Sequence, residues 1–313
     1  MAVGFVYHPD YLLHDTGPHH PERAARLEWI TQHLQRVGLR DVLHQLAPAP
    51  ATVEQVALVH PLQCIEAIRS HTAQAGYSHL DPDTVACPRS FDIALLAVGG
   101  VLTAIDAVLA GTVPSAFCAV RPPGHHATAT VPMGFCLFNN VAIGARYAQQ
   151  RGLRRILIVD WDVHHGNGTQ AIFEEDPDVF YCSSHQYPYY PSTGARDDVG
   201  SGAGQHATLN LPMPAGSGDA DVLAAYREEL LPRALAFRPE LVLISAGFDG
   251  HRDDPLAGWR LTEAGYAELT RLVRQIADAS AGGRIVSVLE GGYHPRALPR
   301  SVEAHLRALG AGA

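Results

Sequence analysis

One short stretch of this chain limits its possible folds more than any other. The apolar run 156–159 leads directly into Asp160, Asp162 and His164, and a loop that contains Gly166 follows. Alternate residues of an extended strand share a face, so these three side chains can point the same way where the strand ends. Carboxylate oxygen and imidazole nitrogen suit Zn²⁺, which in catalytic sites takes three protein ligands and keeps a fourth position open. Asp162 and His164 are therefore predicted to supply two of the three ligands.

Three further apolar runs carry polar or titratable side chains just beyond their carboxyl ends. These are 117–120 before His125 and His126, 240–245 before Asp249, and 284–289 before Glu290 and Tyr293. Open parallel α/β sheets place their ligand sites at the carboxyl ends of strands, so the four runs are predicted to deliver these groups to one site. Asp249 is the candidate for the third metal ligand.

Strands and helices are predicted to alternate along the chain, which indicates an α/β fold with a mostly parallel sheet and helices on both faces. Further strands are predicted at 3–7, 155–160 and 179–183, and helices over 21–37, 52–70, 91–110, 139–151, 219–237 and 262–279. No repeat or low-complexity linker divides the chain, so residues 1–313 are expected to form a single domain. Two long irregular regions, 71–90 and 186–206, are expected to border the mouth of the site.

Composition narrows the class of protein. With 47% hydrophobic and 18% charged residues, the chain can bury a large core and lacks the signature of disorder. A net charge of −9 without a basic stripe disfavours a nucleic-acid partner. Five cysteines without a CxxC pair indicate a reducing compartment. Neither a secretory signal nor a membrane span can be read after Met1, so a cytoplasmic protein without membrane association is expected.

Six motifs along the chain point together to one family. They are His20-Pro-Glu-Arg23, Arg121-Pro-Pro-Gly-His-His-Ala127, Gly134-Phe-Cys-Leu-Phe-Asn-Asn140, the run from Asp160 to Thr169, Ser245-Ala-Gly-Phe-Asp249 and Gly291-Gly-Tyr293. In this order they resemble the zinc-dependent histone deacetylase superfamily, which has the arginase-deacetylase fold. The Asn-Gly-Thr that contains Asn167 is similar to the class II and acetylpolyamine amidohydrolase branches. The resemblance spans nearly the whole chain and implies one deacetylase catalytic domain.

The chemistry expected of these residues is metal-assisted cleavage of an amide. Zn²⁺, or alternatively Fe²⁺, held by Asp162, His164 and Asp249 would lower the pKa of bound water to roughly 7 and polarise the carbonyl. Histidine suits the proton transfers that amide cleavage needs near neutral pH, and His125 and His126 are the candidates.

The resemblance implies that Asp160 orients His125 and that Asn167 orients His126. A carboxylate stabilises an imidazolium whereas a neutral amide does not, so His126 is the expected base and later acid. Tyr293 is expected to donate its hydroxyl to the oxyanion of the tetrahedral intermediate.

The resemblance also implies further binding residues. A structural potassium ion would use Asp160, Asp162, His164, Ser183 and Ser184, largely through backbone carbonyls. Gly134, Phe135, Tyr190 and Leu256 would contact the substrate, with the two aromatic residues as walls of a narrow tunnel. Arg23 matches a family residue near an internal channel for acetate release.

The expected reaction removes acetyl, or a related acyl group, from an amine nitrogen. Acetylated lysine in a peptide or protein is the favoured substrate, and an acetylated polyamine is the alternative. Vertebrate polyamine deacetylases resemble this chain around Asp254-Pro255 but carry a gatekeeping Glu where it has Leu256, which favours acyl-lysine. Asp81 and Asp83, in the first irregular region, favour a cationic substrate instead because they could make the rim acidic.

Two other functions stay open from the sequence, and so does the oligomeric state. A catalytically silent acyl-amine binder would be expected to have lost metal ligands, histidines or the tyrosine, and this chain keeps them all. Arginase-like hydrolysis on two metals would need additional carboxylates, and His164 stands where a bridging acid would be required.

Overall fold

The computed structural model describes residues 2–312, in which strands and helices alternate. The strands are β1 (Gly4–Val6), β2 (His44–Leu46), β3 (Ser78–His79), β4 (Val85–Ala86), β5 (Ser115–Cys118), β6 (Ile156–Asp160), β7 (Val179–Gln186), β8 (Thr208–Met213), β9 (Leu241–Ala246) and β10 (Ile285–Leu289). The α-helices are α1 (Ala25–Arg36), α2 (Val53–Val56), α3 (Leu62–Thr72), α4 (Ser90–Leu109), α5 (Asn140–Gln150), α6 (Asn167–Phe173), α7 (Asp219–Ala225), α8 (Leu231–Phe237), α9 (Glu263–Ser280) and α10 (Ala297–Leu309).

Eight of the strands form one parallel sheet in the order β2-β1-β5-β10-β9-β6-β7-β8. The four apolar runs of the sequence are its middle strands β5, β10, β9 and β6, which lie side by side. Their carboxyl ends are level, because Asp160 pairs with Ser245, Ser245 with Val288 and Val288 with Cys118. The predicted parallel α/β fold is confirmed, and the loops after these four strands meet at one edge.

The middle strands are buried along their whole length, which explains why they are apolar runs rather than alternating patterns. Helix α4 packs against β1, β5 and β10 and is almost as apolar as the strands. Its mean hydropathy of 2.0 and its length would let it cross a membrane, contrary to the expectation that no such segment can be read from the sequence. In the protein, however, 72% of the apolar 18-residue stretch of this helix is buried.

Several helices differ from their predicted bounds for local reasons. The helix predicted over 52–70 is broken into α2 and α3 at Pro61, which has no N–H to continue the hydrogen-bond ladder. The helix predicted from residue 21 begins only at Ala25. The helix predicted over 219–237 widens into a π-turn at Tyr226–Leu230. This turn directly precedes Pro232, which has no backbone N–H to donate to the helix.

Several elements were not predicted from the sequence: the short pair β3 and β4, the two outer strands β2 and β8 of the sheet, and helices α6 and α10. β2 has only three residues, and β8 contains Pro212, which an edge strand tolerates because one side of its ladder is free. Helix α6 begins at Asn167, inside the run from Asp160 to Thr169 that also carries two of the candidate metal ligands. Helix α10 has a proline at its third position, where a missing N–H is harmless, and it packs against α9 and α1.

Candidate active site and metal centre

Asp162, His164 and Asp249 converge at the carboxyl edge of the sheet. The first two follow β6, and Asp249 follows its neighbour β9. One ligand atom of each residue lies within 4.8 Å of the other two, and both carboxylates are buried. Within residues 2–312, this is the group of His, Cys, Asp and Glu side chains that converges closely enough to hold a metal ion.

The distances from the His164 nitrogen to the two carboxylates fit a tetrahedral zinc ion. His164 Nδ1 is 3.1 Å from Asp162 Oδ1 and 3.2 Å from Asp249 Oδ2. Zinc bonds of about 2.0–2.1 Å separate two tetrahedral ligands by roughly 3.3 Å, so these distances correspond to tetrahedral edges. Three nitrogen and oxygen donors also leave a fourth position for water or substrate.

Backbone N–H groups fix the outer oxygens of both carboxylates. Gly291 N donates to Asp162 Oδ2 at 2.7 Å, and Val163 N donates to Asp249 Oδ1 at 3.0 Å. Glycine is required at position 291, because a Cβ there would lie 2.0 Å from Asp249 Oδ2. The loop after β10 therefore packs directly against the candidate metal ligands.

Charge is concentrated in this small volume. Burial would lower the pKa of His164, but hydrogen bonds to Asp162 and Asp249 outweigh it and hold that pKa well above its usual value. Burial would raise the pKa of Asp162, but the positive charges of His125 and His164 keep it well below its usual range. Burial and Asp162 raise the pKa of Asp249. A divalent cation bound between these two adjacent buried carboxylates would neutralise their negative charge.

The two histidines after β5 have different partners. His125 Nδ1 lies 3.0 Å from Asp160 Oδ2, and His126 Nδ1 lies 2.8 Å from Asn167 Oδ1. Burial would lower the pKa of His125, but Asp160 and Asp162 raise it to about 10. Burial, reinforced by His125 and His164, holds the pKa of His126 well below its usual value. The imidazole beside the amide is therefore neutral near pH 7, while the one beside the carboxylate is protonated.

Two further residues support this pair: Tyr181, which was not expected, and Glu290, which was expected at this edge of the sheet but without an assigned role. Tyr181 on β7 donates its hydroxyl to Asp160 Oδ2 at 3.1 Å. Glu290 Oε2 accepts hydrogen bonds from the backbone N–H groups of Gly124 and His125, at 2.7 and 3.2 Å. The alternation of β7 could have pointed to Tyr181, which shares a face with Ser183. The contacts of Glu290 cross from one loop to another, and no local pattern predicts them.

Tyr293 lines the same cavity as His125 and His126. Burial raises the pKa of its phenol well above the usual value, so the hydroxyl keeps its proton. The guanidinium of Arg26 lies over its ring, 4.9 Å from the centroid, and donates to the carbonyls of Glu290 and Gly292 on either side of Gly291.

The expectation for Arg23 was wrong. Arg23 precedes α1 and is exposed, with its guanidinium over the ring of Trp29. Arg26, one helical turn into the interior, is the fully buried arginine of this region. It shares Glu22 with Arg121, so that two guanidinium groups surround one buried carboxylate.

A cavity of about 180 Å³ brings these groups together. It is lined by Asp83, Pro123, His125, His126, Gly134, Phe135, Asp162, His164, Tyr189, Tyr190, Leu256, Gly291 and Tyr293. The four residues expected to contact substrate therefore all line it. Three of the expected site residues do not line the cavity: Asp160, Asn167 and Asp249. Each of them contacts a histidine that does, namely His125, His126 and His164 respectively.

One wall of the cavity is formed by two consecutive residues with a left-handed backbone conformation. Gly134 and Phe135 both have left-handed φ angles, of 57° and 69°. A Cβ on Gly134 would lie 2.4 Å from the His126 ring, so only glycine fits there. Thr84 Oγ1 accepts from Phe135 N at 3.0 Å, which ties this wall to the first irregular region. On the opposite side, the Tyr189 ring stacks on His164 with centroids 5.5 Å apart.

The two acidic residues of the first irregular region have different roles. Asp81 Oδ1 accepts from the N–H groups of Asp83 and Thr84 and so closes a turn. Asp83 lines the cavity, and burial together with Asp81 raises its pKa to about 6. One carboxyl group therefore lies on the tunnel wall, still largely ionised at neutral pH.

Two of the residues expected to bind potassium pair across the strands next to the candidate metal centre. Asp160 and Ser183 are register partners on β6 and β7, and both are fully buried. Ser183 Oγ is 2.9 Å from His185 Nδ1, and Ser184 Oγ is 3.1 Å from Tyr226 OH. The oxygen-rich setting suits a hard cation.

Comparison with known proteins agrees with this geometry. A model of the histone deacetylase domain matches residues 20–309. The chain belongs to the histone deacetylase family. The fold of the family is present throughout, because the crystal structure of the HDA15 HD domain superposes with a TM-score of 0.95 at 37% identity, covering 100% of this chain and 91% of that one.

Several similar proteins in the family have different names. A probable deacetylase of Archaeoglobus fulgidus is 41% identical over 94% of this chain and 82% of its own length. The chloroplastic histone deacetylase 10 of Oryza sativa is 42% identical over 92% and 69%. The human polyamine deacetylase HDAC10 is 42% identical over 96% of this chain, which spans 47% of that longer protein. Sequence similarity alone therefore does not separate lysine from polyamine substrates.

Proposed function

We propose that this deacetylase is a zinc-dependent amidohydrolase that removes acetyl groups from acylated lysine. The observation that carries the proposal is the cavity in which Asp162 and His164, the histidine pair and Tyr293 share one narrow space. A bound zinc ion would lower the pKa of a water molecule to roughly 7 and polarise the amide carbonyl. Fe²⁺ could fill the same donor set.

His126 is the base in this proposal. Because Asn167 Oδ1 accepts from Nδ1, the proton of the neutral ring sits on Nδ1 and leaves Nε2 free. His126 Nε2 takes a proton from the attacking water as the water oxygen bonds to the acyl carbon. It returns that proton to the amine nitrogen as the C–N bond breaks. The second proton of the water passes from the carboxylic acid to the amine, so the products are a carboxylate and an ammonium ion.

His125 and Tyr293 stabilise the charge that develops. His125 stays protonated beside Asp160 and contributes a fixed positive charge. Tyr293 keeps its hydroxyl proton and donates it as a hydrogen bond to the oxygen of the former carbonyl. Donors of this kind matter most in a buried site, where water does not compete with them.

The tunnel favours a slender, mostly apolar chain. Phe135, Tyr190 and Leu256 line it, as does the ring of Tyr189. The side chain of an acylated lysine carries no charge and would pass between these rings. The aliphatic side chain of Leu256 provides no negative charge that could bind a second, cationic amine of the substrate.

Deacetylation of polyamines is the second candidate, and Asp83 is the observation that favours it. This carboxyl group lines the cavity and would attract a cationic amine beyond the amide. Relatives named polyamine deacetylases and relatives named histone deacetylases are both similar to this chain, so their names do not decide between the two substrates.

The deciding experiment is kcat/KM of the zinc-loaded protein on an acetyl-lysine peptide and on N-acetylputrescine, with a chelated sample as control. We expect preference for the peptide and loss of both activities on chelation. Preference for the amine would replace the first substrate with the second. Leu256→Glu, a variant that adds one rim carboxylate, should shift the ratio toward the amine by about fivefold, since an accessible ion pair contributes ~1 kcal/mol.

Two further parts of the proposal have simple tests. Elemental analysis and reconstitution of the apoprotein with Zn²⁺ or Fe²⁺ identify the metal that supports turnover. A potassium ion beside Asp160 and Ser183 should raise the thermal stability in KCl relative to an equal concentration of choline chloride. A cytoplasmic location is also proposed, although two plant relatives are named chloroplastic.

A further inference from the structure

Asp254 uses the two oxygens of one buried carboxylate to hold its own loop and the loop that follows β10. Oδ2 accepts from the backbone N–H groups of Tyr293 and His294, at 2.7 and 3.2 Å. Oδ1 accepts from the backbone N–H of Leu256 at 3.1 Å. The side chain is 7% exposed, so water contributes little to these bonds.

The hydrogen bonds of Asp254 continue through Leu256 to Tyr189, which also lines the cavity. Leu256 is held at its N–H by Asp254, and its carbonyl accepts the hydroxyl of Tyr189. Tyr189 in turn stacks on His164. Tyr189, Leu256 and Tyr293 all line the cavity, whereas Asp254 lies behind them. One carboxylate therefore connects the oxyanion side of the tunnel with its mouth.

Only a carboxylate can make this connection in the observed geometry. Donors approach both oxygens, and all of them are backbone N–H groups, so each oxygen must act as an acceptor. An amide has one acceptor oxygen and one donor nitrogen, and the nitrogen would face an N–H group. Tyr293 and His294 lie between β10 and α10, outside the ladders that would otherwise fix their backbone.

We propose that Asp254 is a positioning residue that sets the Tyr293 hydroxyl against the reacting carbonyl and couples its position to Leu256 at the tunnel rim. The proposal rests on the proposed function, in which Tyr293 donates to the oxyanion. Because the oxyanion forms only as the reaction proceeds, misplacing its donor lowers kcat and leaves KM nearly unchanged.

The test is a double-mutant cycle of Asp254→Asn and Tyr293→Phe, with kcat and KM measured on the acetyl-lysine peptide. Asp254→Asn is isosteric, and we expect it to lower kcat by at least tenfold, since displacement of a catalytic group by ~1 Å can cost roughly 100-fold. In the Tyr293→Phe background the same change should lower kcat by less than about twofold, because no hydroxyl remains to be misplaced. Zinc content should stay unchanged throughout.

Asp253→Asn is the matched control, because its side chain is 55% exposed and one position away. It should retain wild-type kcat. If Asp254→Asn does not fold, Asp254→Ser enters the same cycle, since its smaller side chain admits water to the freed N–H groups.

The outcomes separate this inference from the proposed function. Equal losses of kcat in both backgrounds would show that Asp254 does not act through Tyr293 and would overturn the inference alone. A raised KM at unchanged kcat would overturn it as well. Wild-type turnover in Tyr293→Phe would instead remove the oxyanion role on which both depend.

Discussion

Replacing Asn167 with Asp tests the assignment of the base most directly. Asn167 Oδ1 lies 2.8 Å from His126 Nδ1, so the substitution puts a carboxylate in place of a neutral amide without changing size. His126 would then have the same kind of partner as His125. The asymmetry between the two histidines would largely disappear.

The size of the effect follows from the short distance. Two unit charges 2.8 Å apart attract by about 6 kcal/mol at an effective dielectric of 20, which is an upper bound because the new carboxylate is itself buried. Opposite charges this close typically raise the pKa of a histidine by roughly 1–3 units. In the wild-type protein, burial and the neighbouring His125 and His164 hold the pKa of His126 well below its usual value. The variant therefore stays protonated to higher pH.

Protonation removes the base, so the acidic limb of the kcat/KM profile should move to higher pH. We expect a shift of roughly 1–3 pH units, with the plateau at higher pH nearly retained. The assay is kcat/KM on an acetyl-lysine peptide between about pH 5 and pH 9, with zinc content checked at each end. Gln150→Glu, which adds a negative charge at an exposed position, is the control and should leave the limb in place. An unshifted limb in Asn167→Asp would refute His126 as the group that this limb reports.

Three other outcomes are expected. Tyr293→Phe should keep about one zinc per chain by elemental analysis and lose roughly 10²–10³ in kcat, and wild-type turnover would contradict its oxyanion role. His126→Ala should impair turnover at neutral pH more than His125→Ala does; the reverse order would exchange their roles. Glu22→Gln leaves two buried guanidinium groups without a counter-charge, so the free energy of unfolding in urea should fall by about 3–5 kcal/mol, and an unchanged midpoint would show that the buried ion pairs do not stabilise the fold.

The architecture was largely predictable because its signals are local. Apolar runs such as 156–159 are buried on both faces, and a fully buried parallel strand has no polar alternation to obscure it. The groups that follow these runs could be expected to meet, because the carboxyl ends of parallel strands share one edge. The edge strands β2 and β8 carry weaker signals, because an edge strand has a neighbouring strand on one side only and is less completely buried in the core.

Prediction failed where the exact start of a helix or a long-range contact sets the environment of a side chain. Arg23 and Arg26 are both near the start of α1, and only the position at which the helix begins decides which of them faces inward. Asp254 precedes a proline in a loop, where an aspartate usually closes a turn. Its bonds to Tyr293 and His294 span some forty residues of sequence, and no local pattern encodes them.

The sequence by itself determined the alternation of the main strands and helices along the chain, the donor types at the ends of the four central strands and the resemblance to one family. These depend on hydrophobic periodicity and on side-chain chemistry, which act within a few residues. The tertiary structure alone decided that β10 and β9 lie between β5 and β6, that Asp162 and Asp249 come within reach of one His164 nitrogen, and that the pKa values of His125 and His126 diverge. Those properties come from burial and from charges brought together by long-range packing, and they exist only once the chain has folded.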